Sequence, residues 1–381
     1  MEALSDIRLF AKTQKSRVLD LVCRSVPAVV LFALIKSVDF LDSKATISEF
    51  LMEALLIIPI LLPFFRFGLP IHLQQALSFK KKVQAKDNLF WFQLVIFLSI
   101  QPLYFVNLTA YLILSLTVIS ALLFNLGCFY IREGKRQGFI IQNGLVNGSL
   151  LIAVCLFILK PENTNIFHFI MIEIFVVLFI TFYLYKPKAP DLIGINLSNI
   201  KPYLVDSLTT FLFPLITYFT LKNLFYLSAD FLLLLKISAF ISGSIGALIL
   251  IRVKQLDHNE GKTDVFNKIK LSQLNVFYIL SAVSMICVAF LVEFKLLPYF
   301  IILLIFEFIL LKFGHFNILL NYKASYNTMI KISVIVSASL YLFNITLSNF
   351  NVKLDYIGAI IFYLSLIGLF HYFCFKYNNH A

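Results

Sequence analysis

Residues 165–188 read NIFHFIMIEIFVVLFITFYLYKPK. A single acid, Glu173, interrupts an apolar run from Ile166 to Tyr185, and Lys186-Pro187-Lys188 closes it. A helix of about 20 mainly apolar residues crosses a bilayer, so this stretch reads as a membrane span with a basic stop at one end. Eleven more stretches have the same character, near 18–40, 46–66, 88–105, 108–131, 139–159, 203–221, 229–251, 271–292, 298–320, 328–347 and 355–375. The connections between them are short, which leaves no room for a soluble domain. The expected fold class is an all-α polytopic membrane protein of about twelve spans, and any activity has to be carried by the helices themselves.

Composition agrees. The chain is 60% hydrophobic and 14% charged over 381 residues, too apolar for a water-soluble protein of that length. It opens Met1-Glu2-Ala3-Leu4-Ser5-Asp6, and its first apolar run is a full span without a small-residue cleavage site, so no signal peptide is expected.

The net charge of +12 invites a nucleic-acid reading, but its placement argues against one. With a cytoplasmic amino terminus, the cytoplasmic segments carry 24 Lys/Arg, Arg66, Lys86 and Lys270 among them, and the outer loops carry five. Such alternation is the positive-inside pattern. It places both termini in the cytoplasm and assigns the basic charge to topology, with membrane lipid and no nucleic acid as partner.

The first 185 residues form one six-helix half. A linker over 186–202 begins Lys186-Pro187-Lys188-Ala189-Pro190-Asp191, and residues 203–381 form the second half. Two halves of equal orientation suggest parallel repeats, with the substrate between them. Ahead of the first span, Ile7, Phe10, Ala11, Val18 and Leu21 keep helical spacing, and Arg8, Lys12 and Lys15 fall elsewhere, so residues 5–17 read as an amphipathic surface helix. Pro27, Pro59, Pro63 and Pro214 each remove an amide donor inside a span.

Charges within spans are costly and mark candidate sites. The cations are Arg24, Lys36 and Lys236, and the acids are Glu53, Glu173, Asp206 and Glu307. Arg24 either faces a cavity or pairs with Asp20 one turn earlier. Lys236 has no acid within four residues, and Ala239 and Gly243 share its face. It either faces a cavity or snorkels to the outer surface. Asp206, Thr209, Thr210 and Thr217 make a polar stripe in the seventh span. Asp206 is either a proton-responsive group or the counter-ion of Lys236 or Arg24.

Other patterns carry little. Gly261-Lys262-Thr263 lacks the upstream glycine of a phosphate loop, and three glycosylation patterns, at Asn107, Asn196 and Asn344, matter only in a secretory pathway. The five cysteines fall within spans without paired spacing, and the six histidines lack metal spacing. No metal or other cofactor is expected, and no nucleophile has a base nearby in sequence.

One region goes further. The first span, a loop ending Ile47-Ser48-Glu49-Phe50, the second span and Phe65-Arg66-Phe67-Gly68-Leu69-Pro70 resemble the opening of the polysaccharide flippases, the O-antigen and repeat-unit translocases of the multidrug/oligosaccharidyl-lipid/polysaccharide exporter superfamily. Ile131-Arg132-Glu133-Gly134-Lys135-Arg136 is similar to that family's connection between helices four and five. The resemblance implies a bacterial inner-membrane protein that moves an undecaprenyl-pyrophosphate-linked oligosaccharide outward by alternating access, alongside a polysaccharide polymerase and a chain-length regulator. It assigns the diphosphate to Arg24 and Lys236, with Lys36 a weaker candidate. The sugar falls to polar faces such as the helix 7 threonines, and Glu53 and Asp206 serve as polar or coupling groups. Two rivals stand beside it. A drug or metabolite antiporter would show acids in its cavity. A membrane enzyme such as a polymerase usually needs a long outer loop, and here every outer loop is about a dozen residues or fewer.

Overall fold

The computed structural model describes residues 23, 25–37, 41, 45–67, 79–133, 135, 137–159, 166–188, 200–223, 228–253, 262–322 and 325–379. The amphipathic start, Arg24, Gly68-Leu69-Pro70 and residues 189–199 of the linker fall outside them. Every regular element described is helical, as a chain without water to satisfy its amides requires. In chain order these are α1 Ser25–Ser37, α2 Ala45–Phe65, α3 Phe79–Ser99, α4 Leu108–Arg132, α5 Gln137–Leu159, α6 Ile166–Tyr185, α7 Ile200–Lys222 and α8 Ala229–Val253. There follow α9 Lys262–Leu271, α10 Leu274–Leu291, α11 Leu297–Phe313, α12 Phe316–Tyr322, α13 Tyr326–Asn349 and α14 Tyr356–Asn379, with two single helical turns besides, Leu103–Val106 and Phe294–Leu296.

Among the described residues, ten helical stretches are long and apolar enough to cross a membrane, α9 with α10 and α11 with α12 each counting as one. Two shorter apolar helical segments, Ser25–Ser37 and Gly144–Leu159, accompany them. Large apolar side chains point outward along these stretches: Phe179 is 75% exposed and Phe290 85%. In water that surface would be unfavourable; against lipid it is at home. The protein is an all-α, multi-pass membrane protein.

The chain divides into two compact units. The first comprises Met1–Phe50 and Leu69–Asn196, the second Leu51–Gly68 and Leu197–Ala381, so most of α2 belongs with the second unit.

In the first unit α4 is the spine, packed by α3, α5 and α6. It is capped at its start by Asn107, whose side chain accepts from the Ala110 amide at 2.9 Å. Its interior carries Ser115, Thr117, Ser120 and Asn125, all buried. Near its end the backbone meets α5 so closely that a Cβ on Gly127 would stand 2.5 Å from the Gly138 carbonyl oxygen, and the reverse distance is the same. Small residues are what allow two membrane helices to approach like this.

In the second unit α7 packs on α13 and α14, while α8 packs on α9, α10, α11 and α12. One apolar stretch is broken: α11 stops at Phe313 and α12 starts at Phe316. Between them His315 takes a left-handed backbone, φ 62°, a conformation that non-glycine residues adopt only when the surroundings hold them there.

Candidate functional site

Helix α8 presents two different faces. On one, Ser238 and Ser242, a turn apart, turn toward Glu307 of α11. The Ser238 hydroxyl donates to Glu307 Oε1 at 2.9 Å, and Ser242 also hydrogen-bonds that carboxyl group. Glu307 is 5% exposed. Tyr363 of α14 lies beside it and shares a hydrogen bond with Thr217 of α7. Four helices thus enclose a polar cluster in the middle of the second unit, and Glu307 looks inward to it.

A second face, about 110° around the helix from the serines at 3.6 residues per turn, carries Lys236, Ala239 and Gly243, at spacings i, i+3 and i+7. Ala239 and Gly243 are exposed and Lys236 is half-buried. A Cβ built on Gly243 would meet nothing within 4 Å. Among the described residues the Lys236 ammonium has no hydrogen-bond or ion-pair partner. It sits about 10 Å along the helix from Ala229 at the usual rise per residue. An unpartnered ammonium at that depth calls for water or an anionic occupant.

Asp206 has a partner, and it is Arg66. The Arg66 guanidinium donates to Asp206 Oδ2 at 3.1 Å, with the two side chains 4% and 12% exposed. Thr210 donates to Oδ1 of the same carboxylate at 3.3 Å, and Ser207 donates to the Pro63 carbonyl at 3.3 Å. Phe64 and Phe211 pack beside them with tilted rings, centroids 5.5 Å apart. The end of α2 is therefore held on the first turns of α7. The pairing joins residues 140 positions apart; Lys236, one partner weighed from sequence, does not supply it, and Arg24, the other, lies outside the described residues.

The rest of the polar stripe on α7 turns back on its own helix. Thr209 donates to the Val205 carbonyl at 2.6 Å and Thr217 to the Phe213 carbonyl at 3.0 Å. This is how hydroxyls are commonly satisfied within helices. Lys36 is half-buried one residue from the end of α1, Glu173 is half-buried on α6, and Glu53 is exposed on α2. Arg24 lies outside the described residues.

Three basic groups that read as topology in the sequence are interior ones: Arg66, Lys86 and Lys270 are 4%, 8% and 1% exposed. His315 and His371 also come together. The His315 amide donates to His371 Nδ1 at 3.3 Å, and the rings are 5.7 Å apart. Among the described residues no group of three or more His, Cys, Asp or Glu side chains is placed to hold a metal ion.

No protein-family model, curated protein or solved structure matches the chain. The described helices form a multi-pass assembly of the transporter kind.

Proposed function

We propose that this protein is a flippase that carries an undecaprenyl-pyrophosphate-linked oligosaccharide, such as an O-antigen repeat unit, from the inner to the outer leaflet of a bacterial inner membrane. The observation that carries this reading is the stripe of α8 where Ala239 and Gly243 are exposed and where Lys236, among the described residues, has no hydrogen-bond or ion-pair partner. A diphosphate needs a positive group at depth and room beside it, and both coincide there. In the same unit Arg66 neutralises Asp206, and Glu307 faces the interior. The charge left on the open face of α8 is thus a cation, the sign an anionic head group requires.

In this reading the chain crosses the membrane twelve times as two six-helix halves, both termini cytoplasmic, with Arg24 and Lys36 in the first half as further contacts for the diphosphate. The threonine-bearing side of α7 is offered to the sugar. An inside-negative potential favours outward movement of the head group by about 2.3 kcal/mol per charge per 100 mV. A polysaccharide polymerase and a chain-length regulator would take the product onward.

A second reading, a cation-coupled drug or metabolite antiporter, draws on Glu53, an exposed acid within the α2 span. Proteoliposomes separate the two. Outer-leaflet appearance of a labelled diphosphate-linked oligosaccharide is expected with the native protein and Lys236→Arg, and is lost in Lys236→Ala while that variant stays folded. Export of an organic cation, with no movement of several such lipid-linked sugars, would overturn the flippase reading.

A further inference from the structure

Lys86 and Lys270 are buried for a reason their sequence context hides. The Lys86 Nζ donates to the carbonyl of Tyr185, the last residue of α6, at 3.1 Å. It stands 5.0 Å from the centre of the Phe129 ring and 5.4 Å from that of Tyr185. Asp87 lies 3.3 Å away. The same helix end is gripped by the Tyr130 hydroxyl, which donates to the Leu184 carbonyl at 3.1 Å. In the second unit the Lys270 Nζ donates to the carbonyls of Lys312 at 2.9 Å and Gly314 at 3.3 Å, at the break between α11 and α12. It stands 4.3 Å over the Phe316 ring and 5.4 Å from that of Phe266.

The two places share a helix-end carbonyl and aromatic rings around an ammonium; at Lys86 the Asp87 carboxylate is a further partner, and at Lys270 a second carbonyl takes its place. The last carbonyls of a helix have no amide partners and carry the negative end of its dipole. An aromatic face beneath adds further attraction for a cation. Where membrane helices are interrupted, such ends commonly coordinate a free monovalent cation.

We infer that each unit contains a built cation site, made of helix-end carbonyls over an aromatic ring, and that the chain fills both with its own lysine ammonium. In the second unit that ammonium holds the Gly314–His315 break, where the left-handed His315 backbone needs external support. In the twelve-span reading the two lysines also occupy matching positions. Each directly precedes the third apolar stretch of its half, 88–105 or 271–292, and one ring beneath it comes from the following stretch, Phe129 or Phe316. The two sites stand without that correspondence, and neither depends on what the protein transports.

Chemical rescue tests this directly. In purified full-length protein, Lys86→Ala and Lys270→Ala are each expected to melt at a lower temperature than native. Millimolar n-propylammonium, which restores the missing stem and its N–H donors, should return most of the loss. Tetramethylammonium, with the same charge and no donor, should not. A native melting temperature in Lys270→Ala, or equal responses to the two ions, would overturn the inference. If the alanine variants fail to fold, native protein decides the matter. In permeabilised membranes a water-soluble amine-acylating reagent should modify exposed Lys268 and leave Lys270 untouched two residues away. Modification of both at the same rate would equally refute it.

Discussion

Replacing Arg66 with methionine keeps most of its stem and removes the charge that answers Asp206. In the native protein that carboxylate is 12% exposed and has two polar partners, the guanidinium at 3.1 Å and the Thr210 hydroxyl at 3.3 Å. After the substitution a single hydroxyl remains for a charge removed from water. Breaking a buried pair from one side costs about 3–5 kcal/mol, whereas exchanging both members for apolar residues of similar volume is often neutral. Arg66→Met and Asp206→Leu should therefore each destabilise by about 3 kcal/mol or more, a factor of at least about a hundred in the folded-to-unfolded ratio. The double variant should recover most of the loss. Reversible unfolding in mixed micelles, run as a double-mutant cycle, measures the coupling directly. Additive effects below about 1 kcal/mol each, the behaviour of an exposed pair, would show that α2 is not held on α7 through this contact.

Gly243→Leu places a large side chain where a Cβ meets nothing within 4 Å. The variant should melt like native protein yet transport poorly in the proteoliposome assay, and undiminished transport would remove the α8 stripe from the substrate path. Gly127→Ala is expected to do the opposite. Its Cβ would fall 2.5 Å from the Gly138 carbonyl oxygen and 2.3 Å from Gln142 Cγ, an overpacking that costs about 1–3 kcal/mol, read as a lower unfolding midpoint in mixed micelles.

The sequence made the membrane character plain because hydrophobic length is a local property, visible without knowing any partner. The stripe of Lys236, Ala239 and Gly243 is equally local, since helical spacing alone puts the three on one face. Arg66 shows where such reading stops. It follows two phenylalanines at the end of a span, where a basic residue normally marks the membrane surface, yet inside the fold it meets a carboxylate 140 positions away. Lys86 and Lys270 misled in the same manner. A lysine just before an apolar stretch looks like a topology signal, and its burial depends on carbonyls and rings contributed by other helices. Glu307 was visible as an acid within a span, but the serines that orient it inward come from α8, 69 positions away in the case of Ser238.

Helix α4 is 83% buried over its span, against 22% for Val265–Leu291, and that difference bears on how the protein is made. A helix destined for the interior of a bundle still has to leave the insertion machinery on its own, before α5 and α6 exist to enclose it. Its apolar sequence serves that passage through lipid, and so does the Thr117 hydroxyl, which donates to the Ile113 carbonyl of its own helix; Ser115, Ser120 and Asn125 are enclosed only once the neighbours are in place. The spine of the first unit thus meets two environments in succession, lipid and then protein, and a polar substitution there would first be felt at insertion, before any folding or transport could be measured.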